Sequence, residues 1–144
     1  MGNVIIKNLS LRQKFQQVHK TIGTMPNLFG MKIAESVYKH GHSWLRDLLS
    51  YLENNIALFD DGVSKIVGLE PIRLSATYLA WIDFNNTGMS EDQIINKVHK
   101  TAGIAASIGS TFGKNGTGFM RFNLACPQIK IIEAVKRLEL AFNN

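Results

Sequence analysis

The sequence holds one cysteine, Cys126, and therefore no internal disulfide. A lone thiol fits a reducing compartment, so a cytoplasmic protein is expected. Three prolines among 144 residues, and 12 glycines without a repeat, exclude collagen-like and low-complexity chains. No run approaches the ~20 consecutive apolar residues of a transmembrane helix, and Met1 to Lys7 is too short and too weakly basic for a secretory signal. No membrane partner is expected. There is also no block of like charge. Residues 1–50 carry seven Lys/Arg (Lys7, Arg12, Lys14, Lys20, Lys32, Lys39, Arg46) against Glu35 and Asp47, while residues 51–144 carry nine of each sign. The basic charges of the first third are scattered singly, without interleaved aromatics. They read as a solvated helical face, and no nucleic-acid partner is expected. What is present, 45% hydrophobic and 19% charged residues, suits one domain with its own core.

The patterning divides the chain. Val4-Ile5-Ile6 is a short β-branched run that reads as a small strand or strand remnant. Leu11, Phe15 and Val18 mark a short amphipathic helix ending near Gly23, and Thr21–Asn27, with Gly23 and Pro26, reads as a loop. Leu28, Met31, Ile33, Ala34 and Val37 mark a second helix that Gly41 ends. Leu45, Leu48, Leu49, Leu52, Ile56 and Phe59 repeat every three or four residues, predicting one long helix over Ser43–Phe59.

From Leu69 the period falls to two, predicting strands over Leu69–Leu74 and Thr77–Phe84, the second central and covered on both faces. Ser90 and Gln93 form a capping box ahead of a helix that turns Ile94, Ile95, Val98 and Ala102 inward. A short apolar segment, Ile104–Ile108, and a glycine-rich loop precede the strand Phe119–Leu124. Pro127 suits the first turn of a last helix burying Ile131, Ile132, Val135, Leu138 and Phe142. The expected fold is α+β: N-terminal helices and a long helix packed with a small, mostly antiparallel sheet in β-β-α-β-β-α order.

Most candidate sites reduce to ordinary structure. Gly109-Ser110-Thr111-Phe112-Gly113-Lys114 has the wrong spacing for a phosphate loop and reads as a tight exposed turn. His40 and His42 have no further ligand nearby in sequence, and His19 and His99 stand alone, so no metal is expected. Cys126 lacks a Cys-His or Cys-x-x-Cys context and reads as a structural thiol. Arg121 differs. Alternation in Phe119-Met120-Arg121-Phe122-Asn123-Leu124 sends Met120, Phe122 and Leu124 to one face and Arg121 to the other. A guanidinium on a rigid strand suits bidentate capture of a carboxylate; the competing reading is an ion pair with an acid such as Asp83.

Several segments together carry a resemblance. Tyr38-x-His40-Gly41-x-x-Trp44-Leu45-x-x-Leu48-Leu49-x-Tyr51-Leu52-x-x-Asn55 resembles the interdomain helix of class I/II, fold-type I pyridoxal-phosphate (PLP) aminotransferases, in the cystathionine β-lyase (MalY/PatB-type C–S lyase) branch. Ala76–Phe84 is similar to that branch's first small-domain strand. Gly109-Ser110-x-Phe112-Gly113 and Gly118–Pro127 resemble its substrate-carboxylate segment. The match runs in order over nearly the whole chain. It departs at Ile108, where the family usually has proline, and over Asp60–Val67.

The resemblance implies the C-terminal, small domain of such an enzyme. Residues 1–42 would be a helical segment left from the large-domain and interface region, and 43–144 the small α+β domain. By resemblance, Arg121 binds the substrate α-carboxylate, the substrate is an amino acid, and the full-length family uses PLP. The family's Schiff-base lysine motif, Ser-Lys-x-Phe-Asn, does not occur; Ser64-Lys65 is followed by Ile66-Val67. The chain alone is therefore expected to bind no cofactor, to have no catalytic residue of its own, and to be inactive. It is expected to be a homo-oligomer or to pair with a missing large domain. The alternative is a non-catalytic assembly or binding module that joins a separate cofactor-domain chain.

Overall fold

The computed structural model describes residues 2–143, which fall into two compact units that divide between Asp47 and Leu48. In the first, α1 (Leu9–Ile22) starts where the Asn8 side chain accepts the Leu11 amide and ends at Gly23, whose left-handed conformation (φ 69°) lets its N–H reach the His19 carbonyl. α2 (Leu28–His40) is capped in the same way by Asn27, which accepts the Gly30 amide at 2.7 Å. No residue of α1 or α2 is buried. Val4-Ile5-Ile6 is not a strand: it has no ladder partner, and Ile5 is 87% exposed. β-branched residues favour a strand only where a neighbouring edge and a face to cover exist.

α3 runs from His42 to Val63, continuous across the expected Ser43–Phe59 and four residues beyond it. In the second unit it buries Leu52, Asn55, Phe59 and Val63. The apolar stripe predicted from Leu45 to Phe59 is thus covered only in its C-terminal half, and Leu45 and Leu49 are exposed. Asp60, near the end of α3, is partly buried beside Asp61. Burial first, and the neighbouring charge second, push its carboxyl above the usual range. A raised folded-state pKa means that Asp60 favours the fold below the unfolded pKa and loses that contribution as pH rises through the folded value. Asp60→Asn is therefore expected to raise the urea midpoint at pH 7. The gap to the parent should close as pH falls below about 4, and a gap that widened on acidification would contradict the assignment.

The sheet has four antiparallel strands in the order β1-β2-β4-β3: β1 (Glu70–Pro71), β2 (Leu79–Asp83), β3 (Ser107–Ile108) and β4 (Phe119–Asn123). β1 is shorter than the predicted Leu69–Leu74. Pro71 has no N–H for the ladder and sits on the sheet edge, and pairing ends after Ile72 donates to the Trp81 carbonyl. β2 starts at Leu79 rather than Thr77 because Thr77 adopts φ 67°, which breaks the extended backbone. β2 is central, as expected, but not covered on both faces. Ala80, Ile82 and Phe84 are fully buried, whereas Leu79, Trp81 and Asp83 are half-buried.

The buried face packs with Met120 and Phe122 of β4, and Leu124 just beyond it, against Phe59 and Val63 of α3, Val98, and Ile131 and Leu138 of α5 (Gln128–Phe142). The Ser90–Gln93 capping box is complete at the start of α4 (Glu91–Asn96), which continues as a π-turn over Lys97–Thr101. There His99 Nε2 donates to the Ala106 carbonyl at 2.8 Å, tying the turn to the approach to β3. In α4 and this turn Ile94, Val98 and Ala102 are buried, with Ile95 only half so. In α5 Ile132, expected inside, is 46% exposed: it lies about 100° round the helix from Ile131, outside the covered arc. Pro127 caps α5 from outside, and the Tyr51 hydroxyl accepts the Gln128 amide at 2.7 Å.

Candidate functional site

The half-covered face of the sheet carries a row across three strands. Register places Trp81 of β2 opposite Arg121 of β4, and Arg121 opposite Ser107 of β3. Arg121 Nη2 donates to Ser107 Oγ at 3.4 Å, and its Cζ lies 4.3 Å from the centroid of the Phe112 ring. The ring's negative face supports the cation and fixes the plane of the guanidinium. Trp81 meets Phe112 edge-on at 5.5 Å between centroids and Phe119 at 6.2 Å.

Arg121 makes no ion pair among the described residues. Asp83, its candidate partner, stands opposite Phe119 instead, and its Oδ1 accepts both the backbone amide and the side-chain amide of Asn85 at 2.7 Å. The guanidinium is thus half-buried, oriented, and unmatched by an acid, and most of its N–H donors remain available.

The glycine-rich loop that delivers Phe112 folds as two short 3₁₀ turns, Gly109–Phe112 and Lys114–Gly116, not as a phosphate-cradling helix start. Residues 111–115 are exposed, as expected for a turn, but Gly109 is buried: a Cβ there would overlap the Gly116 carbonyl. Gly118 (φ 80°) is equally restricted, since a Cβ would run into the Asn85 side chain. Two glycines thus set how closely the loop approaches the sheet, and with it where Phe112 lies.

Other candidates make different contacts. His19 Nε2 lies 3.2 Å from Thr24 Oγ1, and no group of three or more His, Cys, Asp or Glu side chains converges among the described residues. Cys126 is half-buried, and its carbonyl accepts an Asn55 amide hydrogen. Sequence reasoning missed the parts played by Ser107 and Phe112. Ser107 was legible only through strand register, and Phe112 only through the loop's path.

The fold and the site define the class: a small α+β domain of the fold-type I PLP-dependent aminotransferase and C–S lyase kind, presenting a strand-borne arginine. Over a portion fitting the C-terminal domain, the chain is similar to members of that family. It is 28% identical over 121 residues to the cystathionine β-lyase PatB of Bacillus subtilis, covering 81% of this chain and 30% of the relative. It is 26% identical over 137 residues to the protein MalY of Escherichia coli, covering 93% and 35%. Among solved structures, cystalysin from Treponema denticola, which contains pyridoxal 5′-phosphate, superposes with a TM-score of 0.87 at 30% identity over 96% of this chain and 36% of that one. No family profile matches the sequence. The chain spans about a third of the length of the curated relatives it matches. Among the described residues, no helix is long and apolar enough to cross a membrane.

PLP chemistry needs a lysine, a phosphate cradle and an acid under the pyridine nitrogen, held together. Lys32, Lys39, Lys97, Lys114 and Lys130 do not fit that set. Lys32 and Lys39 pair with Glu35, Lys130 pairs with Glu133, and Lys97 donates to the Ala141 carbonyl at 2.7 Å. Lys114 lies in the exposed loop near Trp81, in a groove whose lining contains no acid.

Proposed function

We propose that this chain is the substrate-carboxylate-holding part of a PLP-dependent C–S lyase or aminotransferase, with Arg121 as the carboxylate ligand, and that alone it catalyses neither reaction. The observation that carries the reading is an oriented Arg121 guanidinium with no acidic partner among the described residues. The cofactor of the family supplies the electron sink that makes an amino acid's α-proton labile. Arg121 contributes position: a planar fork of donors takes both carboxylate oxygens, and the Ser107 and Phe112 contacts limit its rotation before the substrate arrives. The lysine and the pyridine-nitrogen partner must come from residues outside this sequence.

Two measurements test this. Purified chain incubated with PLP and reduced with borohydride is expected to carry no stoichiometric label, and with cystathionine to yield no pyruvate. A stoichiometric label accompanied by turnover would overturn the claim of inactivity. Separately, acetate at tens of millimolar is expected to shift the Arg121 side-chain N–H resonances in nuclear magnetic resonance spectra. Arg121→Gln removes those signals, and unshifted signals in the parent would count against the carboxylate reading.

A second reading, an assembly module, draws on residues 1–47, where Ile5, Phe15, Met25, Leu28, Phe29 and Ile33 are exposed. Apolar patches of more than a few hundred Å2 drive association. Self-association through this unit is expected in light scattering, and the double substitution Met25→Glu with Phe29→Glu should shift it toward monomer. A monodisperse monomer at high concentration would exclude it.

A further inference from the structure

Beside Arg121 the sheet face opens into a groove of about 620 Å3, within the size range of small-molecule sites. Its walls are Ile72, Trp81, Phe112 and Phe119, with Lys114 and Asn115 on the loop side. Ile72 is held against Trp81 by its N–H bond to the Trp81 carbonyl at 2.9 Å. The two edge-on ring contacts of Trp81 keep its indole upright as a wall. Phe112 belongs to both features: its ring meets the Arg121 guanidinium and also lines the groove. The guanidinium carbon is 4.3 Å from that ring's centroid, and the Trp81 ring centroid is 5.5 Å from the same point.

Resting on the carboxylate reading of Arg121, we infer that the groove and the guanidinium form one two-point site for a carboxylate joined by a short linker to a flat apolar group. In an amino-acid substrate that group is an uncharged aromatic or similarly broad side chain. Charge supports the choice. Arg121 and Lys114 bring positive charge to the site and no acid lines the groove; Asp83, on the same sheet face opposite Phe119, is engaged by the backbone and side-chain amides of Asn85. Anions are therefore attracted, whereas a lysine- or arginine-like side chain would meet like charge and find no partner. The aromatic walls favour a planar body over a branched one, since a ring can stack or meet them edge-on. Because Phe112 meets the guanidinium and also lines the groove, an arylalkyl acid with a short linker can place its carboxylate on Arg121 and its ring among the aromatic walls.

The test uses the whole chain in a Trp44→Phe background, so that Trp81 is the sole fluorophore of its kind. The probes are 3-phenylpropionate, its uncharged amide and acetate. Trp81 fluorescence reports the groove, and the Arg121 N–H resonances report the guanidinium. Phenylpropionate is expected to move both signals with one dissociation constant. It should bind about tenfold or more tighter than either the amide or acetate, the difference that a charge-assisted contact and an apolar body each supply.

Arg121→Gln should bring the acid down to the amide's affinity, and Trp81→Leu should bring it down to acetate's; retained sheet signal in circular dichroism checks that each variant is folded. If phenylpropionate binds no tighter than acetate while both shift Arg121, the groove proposal is wrong and the carboxylate reading stands. If acid and amide bind alike and Arg121 does not respond, both are wrong. Absence of any binding also overturns the proposal.

Discussion

Phe59→Ala is expected to lower stability by about 3–5 kcal/mol, among the largest effects of any single truncation in this chain. Phe59 is 1% exposed, and its ring meets Phe122 at 5.3 Å between centroids, so it joins α3 directly to β4. Its removal leaves a cavity that rigid neighbours on the helix and the sheet fill only in part, and the lost contacts add to the lost transfer energy. A urea titration followed by circular dichroism should show a lower midpoint with little change in slope. Phe59→Leu, which keeps most of the apolar volume, should cost clearly less. A loss below about 1 kcal/mol for the alanine variant would mean that the helix is anchored elsewhere.

Asn55→Leu comes next, at about 3 kcal/mol. Asn55 is fully buried, and its Nδ2 donates to two main-chain carbonyls just beyond β4, Leu124 at 3.0 Å and Cys126 at 2.9 Å. Those carbonyls lie where the chain leaves the sheet to start α5, outside the regular ladder. Leucine fills the space but supplies no donor, so two acceptors lose their partner in a low-dielectric interior.

Asn55→Asp makes a sharper test. Its carboxylate would face both carbonyl oxygens, so burial and repulsion raise its pKa in the folded state. That variant should be less stable than the leucine variant at pH 7 and recover as pH falls, because the protonated acid can donate one hydrogen bond. Stability of Asn55→Asp that did not depend on pH would contradict the assigned orientation of the amide. Because these bonds fasten the end of β4, loss of Asn55 should also loosen Arg121, two and three residues back from the nearer end of that strand and its exit, and broaden its side-chain signals.

Local rules written in neighbouring residues were legible directly. The α3 periodicity, the Ser90–Gln93 box and the alternation that sends Arg121 away from Met120 and Phe122 each need only a few consecutive side chains, and each appears in the fold. What periodicity does not report is which part of an apolar stripe finds a neighbour. Leu45 and Leu49 share a pattern with Leu52 and Phe59, yet only the latter two are buried. Val4-Ile5-Ile6 has strand propensity without an edge to join. Thr77, in left-handed conformation, shortens β2 in a way that its β-branched side chain does not announce.

The site divides along the same line. Sequence alone determined that Arg121 lies mid-strand and faces away from the core, because a period of two needs no tertiary information. Tertiary structure decided what surrounds it. Antiparallel register sets Ser107 and Trp81 on its two sides, and the close approach permitted by Gly109 and Gly118 brings Phe112 over its guanidinium. Asp83 turns to Asn85, which leaves Arg121 without an acid among the described residues. Asn55 likewise became visible only in three dimensions, since its partners lie 69 and 71 residues further along the chain. Contacts between residues so far apart depend on how helices and strands pack, and no local pattern encodes them.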